Sequence, residues 1–198
     1  MIVGVLLAAG AGTRFGGGKL LARLPDGTPL GVRAARTLRS AVDTALAVVR
    51  PTDVTLARLF EAEGLDVAVF PKADDGMGAS LAFGVRAAPD ADGWIIALAD
   101  MPSIRLETIE TVAGRLRAGA WIAAPSFRER RGHPVGFSRA LCPELTCLGG
   151  DHGARALLER HASRVETFES EDPGIFLDVD TLRDLSAVRN GTDGKLSL

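Results

Sequence analysis

The sequence is poor in the residues that build metal knuckles and disulfide frameworks. It has 198 residues but only two cysteines, Cys142 and Cys147, whose spacing matches neither a CxxC metal knuckle nor a thioredoxin-like motif. The three histidines, His133, His152 and His161, lie far apart in the chain and lack the spacing of zinc ligands. We therefore expect reduced thiols and no zinc site.

Charge imbalance, long apolar runs and a serine-nucleophile motif are also missing. Lys and Arg number 23 against 25 Asp and Glu, a balance that gives no sign of a nucleic-acid partner. The first residues, MIVGVLLAAG, carry no basic leader, and no apolar run approaches the length of a membrane span. No GxSxG motif marks a catalytic serine. We expect a cytoplasmic protein that binds neither nucleic acid nor membrane.

What the sequence does contain is an alternation of short apolar runs and helical patterns. Apolar runs predict strands at residues 2–8, 44–49, 66–70, 94–99, 121–124 and 165–168. Helical patterns predict helices at residues 30–40, 54–62, 80–88, 106–116, 153–161 and 182–188, the third with Ser80 as its N-cap. This order predicts one α/β domain over residues 1–190 with a mostly parallel sheet, and a flexible tail at residues 191–198.

A glycine-rich loop, LLAAGAGTRFGGGK, spans residues 6–19 directly after the first predicted strand. Its glycines let backbone N–H groups approach phosphate oxygens closely. A Walker loop is excluded because Thr13 stands six residues before Lys19, and Leu20 follows where a metal-binding hydroxyl is required. The dinucleotide fingerprint GxGxxG survives only as a variant one residue longer, which ends at Gly16.

Two cations, Arg14 and Lys19, distinguish this loop from a dinucleotide cradle. A cradle for pyrophosphate relies on glycines and a helix dipole, whereas a reacting triphosphate needs positive charge. We therefore interpret the loop as a nucleotide-binding loop for phosphate transfer. Two alternatives stay open: a turn that only closes a strand–helix connection, and an NADP-dependent oxidoreductase in which Arg50 pairs with the 2′-phosphate.

Carboxylates stand where a metal ion would meet the triphosphate. Asp100 follows the apolar run WIIALA at the expected ligand-binding edge of the sheet, where it can hold Mg²⁺. Its alternative role is the N-cap of the next helix, which Ser103 could also serve. Asp178 and Asp180 share one face of the segment FLDVDT if that segment is extended. Either supplies a second metal-directed carboxylate, or Asp180 or Thr181 caps the helix that follows.

Six segments, in this order, resemble the MobA-like nucleotidyltransferases: LAAGAGTRFGGGKLL, GMGASLAFGV, LADMP, RGHPVGF, GDHGARALL and DVDTLRDL. Within that family the sequence is most similar to the molybdenum cofactor cytidylyltransferase group. The resemblance implies a single Rossmann-like, three-layer domain of the nucleotide-diphospho-sugar transferase type. It also implies that CTP and Mg²⁺ meet the terminal phosphate of molybdopterin, giving the cytosine dinucleotide cofactor and pyrophosphate.

The resemblance also assigns roles to residues of this chain. Arg14 would hold the triphosphate, Lys19 would stabilise the reacting α-phosphate, and Asp100 would bind Mg²⁺ with help from Asp178 or Asp180. The implied nucleotide-binding residues are Leu7, Ala8, Ala9, Gly10, Ala11, Gly12, Arg14, Lys19 and Ser80. His133, in RGHPVGF, is expected on the acceptor side, with a purely structural turn as the alternative.

The choice of base and acceptor depends on finer details of the resemblance. The guanylyl-transferring relatives usually read LAGG at the start of the loop. Here Ala9 gives LAAG, as in the cytidylyl group, which favours CTP over GTP. Gly12 stands where many relatives have serine, and Leu182 replaces a usual proline. Neither departure argues against the transfer reaction. Alternatives are a transferase that uses GTP or another phosphorylated acceptor, and a non-catalytic delivery module that contacts a molybdoenzyme or a chaperone.

Overall fold

The computed structural model describes residues 1–189, without the side chains of Arg14 and Arg189. The tail predicted at residues 191–198 lies outside this range. The strands are β1 (Ile2–Leu7), β2 (Thr44–Val49), β3 (Asp66–Val69), β4 (Gly93–Leu98), β5 (Ile122–Phe127), β6 (Arg130–Arg131), β7 (Val135–Ser138) and β8 (Val165–Glu169). The α-helices are α1 (Leu30–Ala41), α2 (Val54–Ala62), α3 (Met77–Ala87), α4 (Leu106–Arg117), α5 (Cys142–Thr146), α6 (Arg155–Arg160) and α7 (Leu182–Arg189).

The eight strands within residues 1–189 form one sheet in the order β3-β2-β1-β4-β7-β5-β6, with β8 paired to β5. The pairs β1–β2, β1–β4, β2–β3 and β5–β8 are parallel. Strand β7 runs antiparallel between β4 and β5, and β6 is a short antiparallel partner of β5. The predicted α/β domain with a mostly parallel sheet is confirmed, and the antiparallel β7 is the exception that the alternation did not indicate.

Helices cover both faces of the sheet because its central strands are apolar on both sides. In β1, Ile2 and Leu6 are buried against the face that carries α1, α2 and α4. Val3 and Val5 point the other way, into a core shared with α3, α5 and α6. Successive side chains of a strand alternate between faces, so a continuous apolar run builds two cores and three layers.

A smaller cluster joins the two ends of the domain. Leu24 and Leu30, which follow the glycine-rich loop, are buried with Val179 and Leu185 from the C-terminal part of the chain. This packing brings the segment before α7 next to the loop. The fold thereby places residues that are far apart in sequence at one edge of the sheet.

Some predicted boundaries are wrong. Helix α3 begins at Met77 with Gly76 at the N-cap position, so Ser80 is not an N-cap and lies one turn inside the helix. The glycines of GMGAS hide this first turn because glycine is a poor helix former. Helix α6 covers only Arg155–Arg160 of the predicted 153–161. None of the helices within residues 1–189 is long and apolar enough to cross a bilayer.

Candidate active site

A cleft of about 450 Å³ opens where β1 and β4 end and the glycine-rich loop begins. This is the carboxyl edge of the parallel strands, at which ligands of such sheets bind. The residues that line the cleft are Leu7, Ala8, Ala9, Gly10, Ala11, Gly12, Lys19, Leu20, Arg50, Ala73, Asp74, Gly76, Met77, Ser80, Leu98, Asp100 and Asp151. They include all of the expected nucleotide-binding residues except Arg14, whose side chain lies outside the described part of the chain.

The loop turns sharply because its glycines adopt backbone angles that other residues avoid. Gly12, Gly16, Gly17 and Gly18 have φ values of 58°, 87°, 93° and 64°, in the left-handed region that favours glycine. A short 3₁₀ turn at Thr13–Phe15 separates Gly12 from Gly16, and another at Lys19–Leu21 follows Gly18. The chain thus folds back on itself and delivers Lys19 into the cleft.

Lys19 is held between two carboxylates. Its Nζ donates to Asp100 Oδ2 at 2.7 Å and to Asp180 Oδ1 at 2.9 Å. The Lys19 side chain is only 11% exposed. Burial lowers the pKa of Lys19, but the hydrogen bonds and charges of Asp100 and Asp180 outweigh burial, so the pKa is raised above its ordinary value. The lysine is therefore a fixed positive charge at neutral pH.

Tertiary contacts bring Asp178 and Asp180 close to Asp100. The N–H of Val179 donates to the carbonyl oxygen of Asp100 at 2.9 Å, which aligns the segment before α7 with the end of β4. Thr181 caps α7, because its Oγ1 accepts from the N–H of Asp184 at 3.2 Å. Asp180 directs its carboxylate to Lys19 instead.

Asp100 does not cap helix α4. Helix α4 begins at Leu106 with Arg105 at the N-cap position, so neither Asp100 nor Ser103 is its capping residue. The N–H of Arg105 donates to Asp172 Oδ2 at 2.8 Å. The Asp100 side chain faces the cleft, where the ammonium group of Lys19 is its partner.

Three carboxylates lie near the single positive charge of Lys19 at this edge. Burial raises the pKa of Asp178, and the nearby charges of Asp180 and Asp100 raise it further. Within residues 1–189, no group of three or more His, Cys, Asp or Glu side chains is arranged to hold a metal ion by itself. Mg²⁺ is commonly bound by one or two carboxylates together with substrate phosphates, and the pair Asp100 and Asp180 fits that requirement.

Arg50 and Asp74 also line the cleft. Arg50 Nε donates to the carbonyl oxygen of Ala9 at 2.7 Å, and its Nη1 pairs with Asp74 Oδ1 at 2.9 Å. The guanidinium thus fixes the loop backbone and engages a carboxylate. The sequence suggested Arg50 only as a 2′-phosphate partner, and it gave no signal for Asp74.

A strap formed by residues 149–155 crosses the beginning of α3. The N–H of Gly78 donates to the carbonyl oxygen of Gly150 at 2.7 Å, so the strap lies directly on the helix. Asp151 of the strap lines the cleft, although sequence reasoning did not select it. Ser80 lines the cleft from inside α3, where its Oγ donates to the carbonyl oxygen of Gly76 at 3.2 Å.

His133 lies in a second cavity, of about 240 Å³, that adjoins the cleft. Leu7, Met77 and Leu98 line both spaces. Burial lowers the pKa of His133; the charge of Asp100 raises it, and that of Arg131 lowers it. His133 is thus placed beside the cleft and within electrostatic reach of Asp100, with its imidazole neutral at pH 7.

Comparisons with known proteins agree with this geometry. The family model of the MobA-like NTP transferase domain matches residues 4–165. Purine catabolism protein PucB of Bacillus subtilis is 32% identical to this chain, over 95% of this chain and 96% of PucB. Nicotine blue oxidoreductase of Paenarthrobacter nicotinovorans is 30% identical, over 93% of this chain and 94% of that protein.

Solved structures show the same fold. The crystal structure of Rv0371c from Mycobacterium tuberculosis H37Rv has a TM-score of 0.80 and 27% identity, and covers 96% of this chain and 97% of its own. A structure of Rv0371c in complex with manganese has a TM-score of 0.77 and 26% identity, with coverage of 96% and 98%. The three-layer fold therefore occurs in a protein that binds a divalent metal ion.

Proposed function

Because this chain belongs to the family of MobA-like NTP transferases, we propose that it transfers CMP from CTP to the terminal phosphate of molybdopterin. The observation that carries this proposal is the position of Lys19. It leaves the glycine-rich loop, enters the cleft and lies within 2.9 Å of both Asp100 and Asp180. A buried cation beside two carboxylates suits a site where a triphosphate and a divalent cation meet.

The reaction needs no enzyme nucleophile. An oxygen of the acceptor phosphate attacks the α-phosphorus of CTP, the bond from that phosphorus to the bridging oxygen breaks, and pyrophosphate leaves. Catalysis then consists of holding the two reactants in line and stabilising the negative charge of the transition state. Lys19 supplies positive charge, while the loop at Gly10–Gly12 offers backbone N–H groups to the triphosphate.

Asp100 and Asp180 would hold the metal ion. When bound, Mg²⁺ would neutralise charge on the triphosphate and the leaving pyrophosphate. Burial is the largest cause of the raised pKa of Asp178, and the charges of Asp180 and Asp100 at the same edge raise it further. In this proposal Asp180 is the carboxylate that contacts the metal ion, because it already lies beside Lys19 in the cleft. Asp178 lies next to the metal site without contacting the ion.

Ala9 supports CTP as the nucleotide. It is 3% exposed, its backbone is fixed by Arg50, and it lines the cleft. The relatives that transfer GMP usually carry glycine at this position, and the methyl group of Ala9 would change the shape of the cleft wall. The LAAG loop, together with RGHPVGF and GDHGAR, is the basis for choosing CTP and molybdopterin.

The test is release of pyrophosphate from each nucleoside triphosphate with Mg²⁺ and molybdopterin. We expect release with CTP, at most weak release with GTP, and none without the acceptor. No release with any triphosphate would refute the transferase. Tight CTP binding without turnover would instead identify a nucleotide-binding or delivery module, and turnover only with other phosphorylated acceptors would correct the acceptor.

A second candidate function is that of an oxidoreductase, which the name of the 30% identical relative from Paenarthrobacter favours. In that case Arg50 would bind the 2′-phosphate of NADPH. The geometry gives Arg50 a different task, since it holds the carbonyl oxygen of Ala9 and pairs with Asp74. Fluorescence titration separates the two functions: NADPH binding in preference to CTP supports the oxidoreductase.

A further inference from the structure

Asp172 is a buried carboxylate that the proposed transfer leaves without a task. It is 2% exposed and is the one charged residue among the buried residues of the described chain. Its Oδ2 accepts from the N–H of Arg105 at 2.8 Å and from Thr108 Oγ1 at 2.7 Å. Its Oδ1 accepts from the N–H of Gly174 at 2.9 Å. These uncharged donors offset the cost of taking the carboxylate out of water.

The hydrogen bonds of Asp172 join two stretches of chain that are far apart in sequence. Arg105 and Thr108 belong to the beginning of α4, whereas Gly174 lies in the 3₁₀ turn Pro173–Phe176. The side chain of Arg105, at the N-cap position, makes no capping hydrogen bond. The negative charge of Asp172 takes that role from outside the helix, where the helix dipole favours it. Asp172 thereby attaches the turn to the helix.

Each of the joined stretches carries a carboxylate of the proposed metal site. Asp100 lies in the connection from β4 to α4, and we call residues 100–105 the Asp100 segment. Asp180 lies in the connection from β8 to α7, and we call residues 172–180 the Asp180 segment. Neither carboxylate belongs to a strand or an α-helix. Contacts between the two segments therefore determine how the carboxylates lie relative to each other.

The Asp100 segment and the Asp180 segment run side by side in opposite directions. At one end, the N–H of Arg105 donates to the side chain of Asp172 at 2.8 Å. At the other end, the N–H of Val179 donates to the carbonyl oxygen of Asp100 at 2.9 Å. The last residue of the first segment thus meets the first residue of the second. Asp180 directly follows the contact at the second end.

The middle of the two segments is packed backbone against backbone. Gly174 is buried, and a Cβ at this position would overlap the carbonyl oxygen of Ser103. The carbonyl oxygen of Ile175 also accepts from the N–H of His133 at 3.0 Å, which fixes the Asp180 segment from another side. Close-packed contacts transmit a displacement instead of absorbing it. A shift at the end held by Asp172 therefore reaches the end that carries the metal carboxylates.

Building on the proposed function, in which Asp100 and Asp180 hold the metal ion, we propose that Asp172 is the positioning residue for that pair. It fixes one end of the two segments and thereby sets the spacing of the two carboxylates at the other end. A carboxylate suits this task because its two oxygens accept from three donors on both stretches of chain at once. Groups that orient the ligands of a metal ion commonly change its affinity when they are replaced.

The test compares the same substitution at two carboxylates. Asp172→Asn keeps the shape of the side chain but turns one accepting oxygen into an amide donor, so at least one attachment is lost. Asp43→Asn is the matched control at the opposite edge of the sheet. Asp43 likewise joins distant parts of the chain, because its Oδ2 accepts from the N–H of Ile2 at 2.6 Å and its Oδ1 from Arg117 at 2.9 Å.

The first readout is hydrogen exchange at the N–H of Val179, followed by NMR on the full chain. This N–H reports the opening of the contact with Asp100. In Asp172→Asn we expect its exchange to become about tenfold faster relative to the amides of β1, the loss of one hydrogen bond to a charged group. Asp43→Asn should leave this ratio unchanged. A rise at Val179 no larger than in β1 would show a general loss of stability and overturn the positioning role.

The second readout is the affinity for Mn²⁺ without nucleotide, measured by electron paramagnetic resonance of the free ion. Asp172→Asn should raise the Kd for Mn²⁺ about tenfold, and Asp43→Asn should not change it. The double variant Asp172→Asn/Asp180→Asn should bind Mn²⁺ like Asp180→Asn alone, because no carboxylate remains to be positioned. An unchanged Kd in Asp172→Asn, or losses that multiply in the double variant, would overturn the proposal.

Thr108 supplies a second pair of variants if Asp172→Asn does not fold. Thr108→Val removes one donor to Asp172 and keeps the shape, while Thr108→Ser restores the hydroxyl group. We expect the first to move both readouts in the direction given for Asp172→Asn, and the second to return them toward the wild-type values. Equal readouts for valine and serine would contradict a role of the hydrogen bond.

Hydrogen exchange keeps this inference separate from the proposed function. If the wild type binds no Mn²⁺ but Val179 exchanges selectively faster in Asp172→Asn, the metal site is refuted and the attachment of the two segments by Asp172 stands. If the wild type binds Mn²⁺ and transfers CMP while Asp172→Asn matches it in Mn²⁺ affinity, the proposed function stands and the positioning role of Asp172 is refuted.

Discussion

Lys19 Nζ lies 2.7 Å from Asp100 Oδ2, which joins the glycine-rich loop to the end of β4 across 81 positions of the sequence. The side chains of the two residues are 11% and 25% exposed, so water screens their charges only in part. A pair of this kind is sensitive to the loss of either member, because the remaining charge is left in a partly buried place.

Replacing Lys19 with alanine should lower turnover about a hundredfold or more. The reason is that a charge aimed at the reacting phosphate stabilises the transition state more than the bound substrate, and single groups of this type contribute on that scale. The measurement is the rate of pyrophosphate release at saturating CTP, with Arg58→Ala as the control that removes a remote cation. Near-normal turnover in Lys19→Ala would remove the lysine from the mechanism.

The same variant should bind a divalent cation more tightly in the absence of nucleotide. The ammonium group of Lys19 pairs with both Asp100 and Asp180, the two carboxylates proposed to hold the metal, so a metal ion has to compete with it. We expect the affinity for Mn²⁺, measured by the loss of the free-ion electron paramagnetic resonance signal, to rise about tenfold. Unchanged or weaker binding relative to Arg58→Ala would show that the carboxylates do not receive the metal.

Local sequence patterns predict the central elements well and the composition of the site only in part. The helix predicted at residues 54–62 coincides with α2, because its apolar spacing is regular and Pro51 precedes it. The beginning of α3 was missed because the glycines of GMGAS weaken the helical pattern there. The pairing of Asp180 with Lys19 depends on the bond between Val179 and Asp100, a tertiary contact that no spacing along the chain encodes.

The other missed residues have the same physical cause. Asp74 lies in a three-residue 3₁₀ helix and Asp151 in a turn; single carboxylates are common in such connecting segments and carry no periodic signal. They enter the cleft only because Arg50 and the strap over α3 position them. Likewise, RGHPVGF suggested a turn into a strand, but the place of that strand, between β4 and β5, follows from the whole sheet.

His133 should make the stability of the fold depend on pH. Burial lowers the pKa of His133 below its ordinary value of 6.5, so the unfolded chain takes up a proton at this residue before the folded chain does. The contribution of His133 to the free energy of unfolding is therefore fully present above pH 6.5. It is lost as the pH falls through the lowered pKa that His133 has in the folded chain. We expect the free energy of unfolding to fall less from pH 7.5 to pH 5 in His133→Asn than in the wild type.

Urea denaturation at several pH values provides this measurement. His152→Asn is the matched control, because His152 lines the same cavity but is exposed. The slope of stability against pH should change in His133→Asn and stay like that of the wild type in His152→Asn. Parallel pH profiles for wild type and His133→Asn would contradict the burial of a neutral imidazole.

Two glycines in helices should respond to alanine in opposite directions. A Cβ at Gly78 would lie 2.6 Å from the carbonyl oxygen of Gly149, a backbone atom of the strap, so Gly78→Ala should lower the free energy of unfolding by about 1–3 kcal/mol. A Cβ at Gly114, inside α4, would meet nothing within 4 Å, so Gly114→Ala should raise it by about 0.5–1 kcal/mol.

Nucleotide binding distinguishes the strap from a general loss of stability. The strap carries Asp151 into the cleft, so a displaced strap changes the wall that CTP meets. Gly78→Ala should therefore weaken CTP binding at a temperature where the variant is fully folded, while Gly114→Ala leaves the Kd unchanged. Equal stability in the two variants would show that α3 and the strap are not in tight contact. Lower stability of Gly78→Ala with an unchanged Kd for CTP would mean that the strap supports the fold but does not shape the nucleotide site.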